Sequence, residues 1–369
     1  MKKLFFTLIC GSLMLAATMV VQAQVQSEDI NTRYYREIQV DLHGGKYGLL
    51  FRGEVVIPYE YDTIVAQQDN RGFISQQGGK YGIIGVRMYY GGKTEEPQLF
   101  SQQKQYFFEE EGRGRKAKGI NLCVVEIPCE YDEIKNTNGR YWVSKGDLKG
   151  VFNSVGGTIL RCEFSEIEFT DGKYWVSKNG LKGVYNSAGG TILRTEFNEI
   201  KFTDGKYWVN KGDLKGVYNS AGGTILRSEF DEIKFIDGRY WVRKGNLKGV
   251  FNSAGGTILR TEFNEIKFTD GKYWVNKGDL KGVFNSAGGT ILRTEFNEIK
   301  FTDGRYWVKK DNLNGVFNSA GGTILRCEFD KVELTSDNKY IAYKDGNKTL
   351  YNSAGGRLHT VTNVVYSTD

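Results

Sequence analysis

The spacing of the tryptophans constrains this chain more than any other feature. All six, Trp142, Trp175, Trp208, Trp241, Trp274 and Trp307, follow one another at a single constant interval. The text between them repeats too. One period reads Gly183-Val184-Tyr185-Asn186-Ser187-Ala188-Gly189-Gly190-Thr191-Ile192-Leu193-Arg194, then Thr195-Glu196-Phe197-Asn198-Glu199-Ile200-Lys201-Phe202, then Thr203-Asp204-Gly205-Lys206-Tyr207-Trp208-Val209. With the opening glycine as marker, units begin at Gly48, Gly82, Gly119, Gly150, Gly183, Gly216, Gly249, Gly282 and Gly315, with Thr349 in its place at the last. The reading is ten units, degenerate at both ends. A period of this size marks supersecondary units that share a core by stacking.

Within a unit the apolar residues come in short runs rich in aromatic and β-branched types, punctuated by Gly and Asx, which predicts strands and not helices. Asn186 to Gly190 supplies positive-φ positions for one turn, and Asp204-Gly205 is a type I′ hairpin signal. The 47 glycines and only 3 prolines fit a chain of tight turns. A unit this short cannot bury enough surface alone, so neighbours must stack. The expected fold is therefore all-β, with 33-residue repeats of short antiparallel strands stacked as an open solenoid or superhelical array. A closed β-propeller is the alternative. Propellers hold ~4–8 blades of four strands, which ten short units overshoot, and divergent ends suit the caps of an open array.

A family resemblance rests on Gly45-Lys46-Tyr47-Gly48-Leu49-Leu50 followed by Val55-Val56-Ile57-Pro58-Tyr59-Glu60-Tyr61-Asp62-Thr63-Ile64, with a second match at Ile127-Pro128-Cys129-Glu130-Tyr131-Asp132-Glu133-Ile134. These segments resemble the WG-repeat (KWG) family of exported bacterial proteins. The resemblance spans roughly residues 45 to 360. The central units depart from the family pattern. They carry Lys before the opening glycine, as in Lys182-Gly183, where the family often has Trp, and their Trp lies on another strand. What the resemblance implies is a β-rich scaffold without a shared catalytic activity; it transfers no site residue.

Lys2 and Lys3 precede an apolar stretch from Leu4 to Val21 that ends in Val21-Gln22-Ala23, the pattern of a secretory signal cleaved after Ala23. The expected organisation is a signal peptide at 1–23, a lead segment at 24–44, degenerate repeats at 45–118, regular repeats at 119–348 and a C-terminal cap at 349–369. Export to the periplasm, the outer surface or the medium follows from the signal, with no transmembrane segment after cleavage. Loss of Lys2 and Lys3 takes the formal charge from +6 to +4, and every unit mixes both signs. That is a solvated surface and not a nucleic-acid stripe.

Catalytic chemistry is hard to place. The only histidines, His43 and His359, sit near opposite ends, and no phosphate-loop, zinc-helix or calcium-loop motif occurs. Neither cofactor nor metal is expected. The pair Glu196 and Glu199 has the spacing to suggest two carboxyls across a sugar, yet the pair recurs in every central unit, whereas catalysis needs one asymmetric cleft with differently perturbed acids. The expectation is no enzyme.

Strand alternation puts Tyr207 and Val209 on one face and Trp208 and Asn210 on the other. The position after Val varies as Ser144, Ser177, Asn210, Arg243, Asn276 and Lys309, which marks a wet site beside a partly exposed Trp. Trp142, Trp175, Trp208, Trp241, Trp274 and Trp307 are therefore the candidate binding residues, against packing between units as the plainer role. Two functions remain open: an exported scaffold for a protein or envelope partner, or a multivalent glycan-binding protein using the Trp ladder. Cys129, Cys162 and Cys327 align with Thr195, Ser228, Thr261 and Thr294. An open array separates Cys327 from the others beyond disulfide reach, which leaves Cys123, Cys129 and Cys162 as the bridging set.

Overall fold

The structure, a computed structural model, describes residues 37–67, 72–90, 105–110 and 119–361. The signal segment, Cys10 and the side chain of Cys123 lie outside the described part. Every regular element described is a strand. The strands form one three-stranded, one five-stranded and seven four-stranded sheets, and in the four-stranded ones the strands pair in sequence order.

These nine sheets correct the reading of ten units. Gly119 opens no repeat; it starts the long strand Gly119–Tyr131, which pairs with Lys80–Tyr90 and completes the sheet marked by Gly82. The physical difference lies in the bulge. A marker glycine faces a register shift on the next strand with no room for a β-carbon: one on Gly82 would stand 2.6 Å from the Ile127 carbonyl oxygen, and one on Gly282 2.6 Å from Thr294 Oγ1. Gly119 instead lies at the start of its strand, paired with Tyr90 on one side and Glu110 on the other, away from the register shift.

The chain divides into two compact units, Met1–Thr195 and Glu196–Asp369. In each, sustained contacts between sheets among the described residues run from one sheet to the next in sequence, as in an open row of stacked sheets. Unit 1 has successive cores around Leu49, Ile57 and Ile84, then Ile83, Ile127 and Tyr141, then Val151, Phe164 and Tyr174. Unit 2 repeats one core with near-identical membership.

The sheet of Glu232–Ile236, Arg239–Lys244, Leu247–Asn252 and Thr257–Phe263 shows how a repeat is made. Asp237 and Gly238 both have positive φ, 49° and 73°, the geometry of a type I′ hairpin. Tyr240 and Val242 are buried on the face that meets Val217, Leu226 and Phe230 of the preceding sheet. Val250, Leu259 and Phe263 meet Tyr273 and Val275 of the following one. Each sheet is thus apolar on both faces, and its neighbours supply both halves of its core.

Side chains close the turns. Asn252 Oδ1 accepts from the amides of Ala254 at 3.0 Å and Gly256 at 2.8 Å, an Asx turn that carries the chain from the third strand to the fourth. Asp231, the single residue between one sheet and the next, accepts from the amide of Gly245 at 2.5 Å, while its own amide donates to the Arg243 carbonyl at 2.9 Å. Cys129, Cys162 and Cys327 are free thiols. Each of the three faces a marker glycine, Gly82, Gly150 or Gly315, where only a small side chain fits.

Candidate functional site

The six tryptophans lie at one register, on the second strand of six of the seven four-stranded sheets, and all are half-buried; the last sheet has Ile341 in that place. Trp241 sits between Lys234 on the first strand and Val250 on the third, so it shares the face that meets the next sheet. There its ring packs at a tilt of 59° against the buried Tyr273, 6.0 Å between centroids. Trp142 meets Tyr174, Trp208 meets Tyr240, Trp274 meets Tyr306 and Trp307 meets Tyr340, each at 6.1 Å. Trp175 occupies the same register between Glu168 and Val184. In Trp142, Trp208, Trp241, Trp274 and Trp307 one part of the indole therefore bonds adjacent repeats together and another part reaches solvent.

A second aromatic row escaped the sequence reading. Phe202, Phe235 and Phe301 on the first strands are 38%, 41% and 39% exposed. Phe235, Phe268 and Phe301 each lie 4.6 Å from the tyrosine opposite, Tyr240, Tyr273 or Tyr306. A cation from the preceding repeat stands over each ring: Lys206 over Phe235 at 5.0 Å, Arg239 over Phe268 at 4.7 Å and Lys272 over Phe301 at 4.1 Å. Such contacts contribute about 0.5–1 kcal/mol at exposed sites. Its sequence signal was the once-per-period recurrence of Phe two positions before Asp-Gly, which looks like an ordinary core position until the neighbouring cation is placed.

The recurring glutamates do not converge. Glu229 ends the fourth strand of one sheet and binds Lys244 at 3.0 Å, whereas Glu232 begins the next sheet and binds Lys234 at 2.6 Å and Arg243 at 3.3 Å. Those two cations hold the Glu232 carboxyl below its usual range, Lys234 contributing most. Glu196, Glu262 and Glu295 bind Lys211, Lys277 and Lys310 in the way that Glu229 binds Lys244, at 2.8, 2.9 and 2.8 Å. His43 packs on Tyr59 at 5.4 Å, and His359 lies on the last strand. Among the described residues no group of three or more His, Cys, Asp or Glu is placed to hold a metal ion.

Two shallow clefts open between adjacent repeats. One, about 400 Å³, lies in unit 1 between the hairpin tip at Asn138 and Gly139 and the turns at Ser154 and Ser187. The other, about 370 Å³, lies in unit 2 between the Glu295–Lys310 ion pair, Leu313, Phe317 and Arg326. No helix among the described residues is long and apolar enough to cross a membrane.

The model of the WG containing repeat matches residues 125–148, 150–181, 216–247 and 282–313. The matches fall on the regular repeats, whose Trp lies away from the marker glycine, and leave residues 45–64 outside. No curated protein matches the chain. Among solved structures, Hsv2p of Kluyveromyces lactis is 13% identical over 62% of this chain and 97% of that one, with a TM-score of 0.20. The extracellular domain of a one component system from B. thetaiotaomicron is 11% identical over 86% of this chain and 57% of that one, with a TM-score of 0.18.

Proposed function

We propose that this chain, four stretches of which match the WG containing repeat, is an exported, non-catalytic scaffold that holds a protein or cell-envelope partner through the same surface presented many times. The observation that carries this reading is the identity of the repeated surface. Trp, Phe, cation and ion pair recur at one register in sheet after sheet of unit 2, so a partner with its own repeat meets several weak sites together. The lack of convergence between the carboxylates supports a role without chemistry: Glu229 binds Lys244, Glu232 binds Lys234 and Arg243, and Glu199 and Glu265 accept from the Asn210 and Asn276 side chains, so the paired acids face separate partners. Export rests on the apolar N-terminal segment and its Val21-Gln22-Ala23 end.

The test is the dependence of binding on repeat number. Immobilised envelope fragments are expected to retain the full chain, and removal of residues 232–264 and then 232–297 is expected to weaken retention several-fold at each step, as avidity requires. Retention that ignores the number of repeats would overturn the scaffold reading. The half-exposed Trp register supports a second reading, a glycan-binding protein with Trp142, Trp175, Trp208, Trp241, Trp274 and Trp307 as stacking platforms. In that case neutral oligosaccharides shift the intrinsic Trp fluorescence, and Trp241→Phe reduces the change.

A further inference from the structure

Two kinds of charge recur on the fourth strands of unit 2. Glu196, Glu229, Glu262 and Glu295 on the fourth strands, or at their ends, are each neutralised by a lysine at 2.8 to 3.0 Å. Arg227, Arg260 and Arg293 on the last three of those strands, and Arg326 on the fourth strand of the next sheet, are exposed. Among the described residues none of the four meets a carboxylate, although two hydrogen-bonding edges per guanidinium are available. Exposed lysines such as Lys215, Lys248 and Lys281 also stand outside these ion pairs, but the arginines are the exposed guanidinium groups that recur at one register of the fourth strands.

We propose that this arginine row binds a linear polysaccharide carrying carboxylates, a partner class that deepens the scaffold reading and rests on it. Three features select that occupant. Stacked sheets lie about 10 Å apart, so the row offers one guanidinium per sheet at wide, regular intervals. A guanidinium is planar and takes a carboxylate through two parallel N–H donors, which a point charge cannot do. Beside the row lies apolar surface: Arg326 shares its cleft with Leu313 and Phe317, and the matching leucines Leu214, Leu247 and Leu280 are 38%, 37% and 37% exposed. A sugar ring presents an apolar C–H face to such a side chain while its carboxylate reaches the arginine.

A nucleic-acid strand fits less well. Its phosphates recur about every 3.4 Å, several to each arginine, and single-strand binding needs open aromatic faces for stacking. Phe317 is instead held edge-on against Phe296, 5.5 Å between centroids at 71°.

The probe is hyaluronate, with a uronate on every second sugar, titrated into the full chain at low ionic strength. Binding is expected, together with its loss when the carboxyls are methyl-esterified. The triple variant Arg227→Gln, Arg260→Gln, Arg293→Gln is expected to weaken binding by about 2- to 5-fold per substitution, the range of an exposed charge pair. The triple variant Lys201→Gln, Lys267→Gln, Lys300→Gln removes equal charge from exposed positions on the first strands and is expected to leave affinity within about twofold. Absence of binding, equal binding of the ester, equal loss in both triple variants, or tighter binding of single-stranded nucleic acid or phosphatidylglycerol vesicles would each overturn the arginine assignment. Failure here is separable from failure of the scaffold reading, because repeat-dependent retention on envelope fragments can persist with the arginines replaced.

Discussion

Gly288 and Gly271 have similar backbones and opposite surroundings. Both lie at positive φ, 87° and 69°, but a β-carbon at Gly288 would overlap the Ile258 carbonyl oxygen of the preceding sheet, whereas at Gly271 nothing lies within 4 Å. Gly271→Ala should therefore cost only the left-handed strain, about 1–2 kcal/mol. Gly288→Ala adds an overlap with backbone that cannot swing aside and should cost about 3 kcal/mol or more. Denaturant unfolding of the two variants checks this, and equal losses would mean that the turn does not dock on its neighbour. Tyrosine burial gives a second expectation. Burial pushes the hydroxyls of Tyr174, Tyr240 and Tyr273 above their ordinary value and that of Tyr131 up to about 12. Unfolded tyrosines lose their protons near pH 10, so above that pH the unfolded state binds fewer protons and stability falls. Thermal midpoints should be flat from about pH 7 to 9 on this account and decline from about pH 10 to 12. A midpoint unchanged at pH 11.5 would contradict it.

At the scale of one element, the second strand of each sheet is the hub. Tyr240 and Val242 face back, Trp241 faces forward, and the strand pairs on both sides. The first and fourth strands are edges, and their charged residues, such as Lys234 and Arg260, oppose sheet-to-sheet aggregation. Truncation of a fully buried Trp costs about 3–5 kcal/mol; with its ring half in water, Trp241→Ala should cost about 2 kcal/mol, and Trp241→Phe less. Urea unfolding followed by circular dichroism measures both. A loss below about 0.5 kcal/mol, the range of ordinary surface substitutions, would remove the packing role and leave Trp241 as a surface residue alone.

On the scale of the molecule, nearest-neighbour stacking decides how the chain responds to shortening. Removing residues 232–264 joins Asp231 to Glu265 and restores the native Asp-Glu or Asn-Glu link between sheets. Unit 2 should remain folded with one sheet fewer and one Trp fewer, because each core needs only the two sheets that flank it. The thermal midpoint should move by only a few degrees. Loss of the β-type circular dichroism spectrum at 37 °C would show that distant sheets support one another.

The class of fold is legible in the order of residues alone. A constant period of short aromatic and β-branched runs with Asp204-Gly205 and Asn186 to Gly190 between them leaves few choices other than strands, hairpins and stacking, because these signals are local and depend on backbone geometry. The same order shows that Tyr207 and Trp208 face opposite ways, since alternation is a property of the strand alone. Packing settles the rest. Gly119 resembles a repeat opener until the strand partner across from it is known, and only that partner shows whether a β-carbon has room. The exposed Phe235 looks like core in the sequence because its burial depends on how far the preceding sheet extends, and its cation comes from that sheet. Arg227 looks like one charge in a balanced mixture; only the structure shows that the neighbouring Glu229 is taken by Lys244 and not by this arginine, because pairing is a matter of distance across strands that share no local sequence.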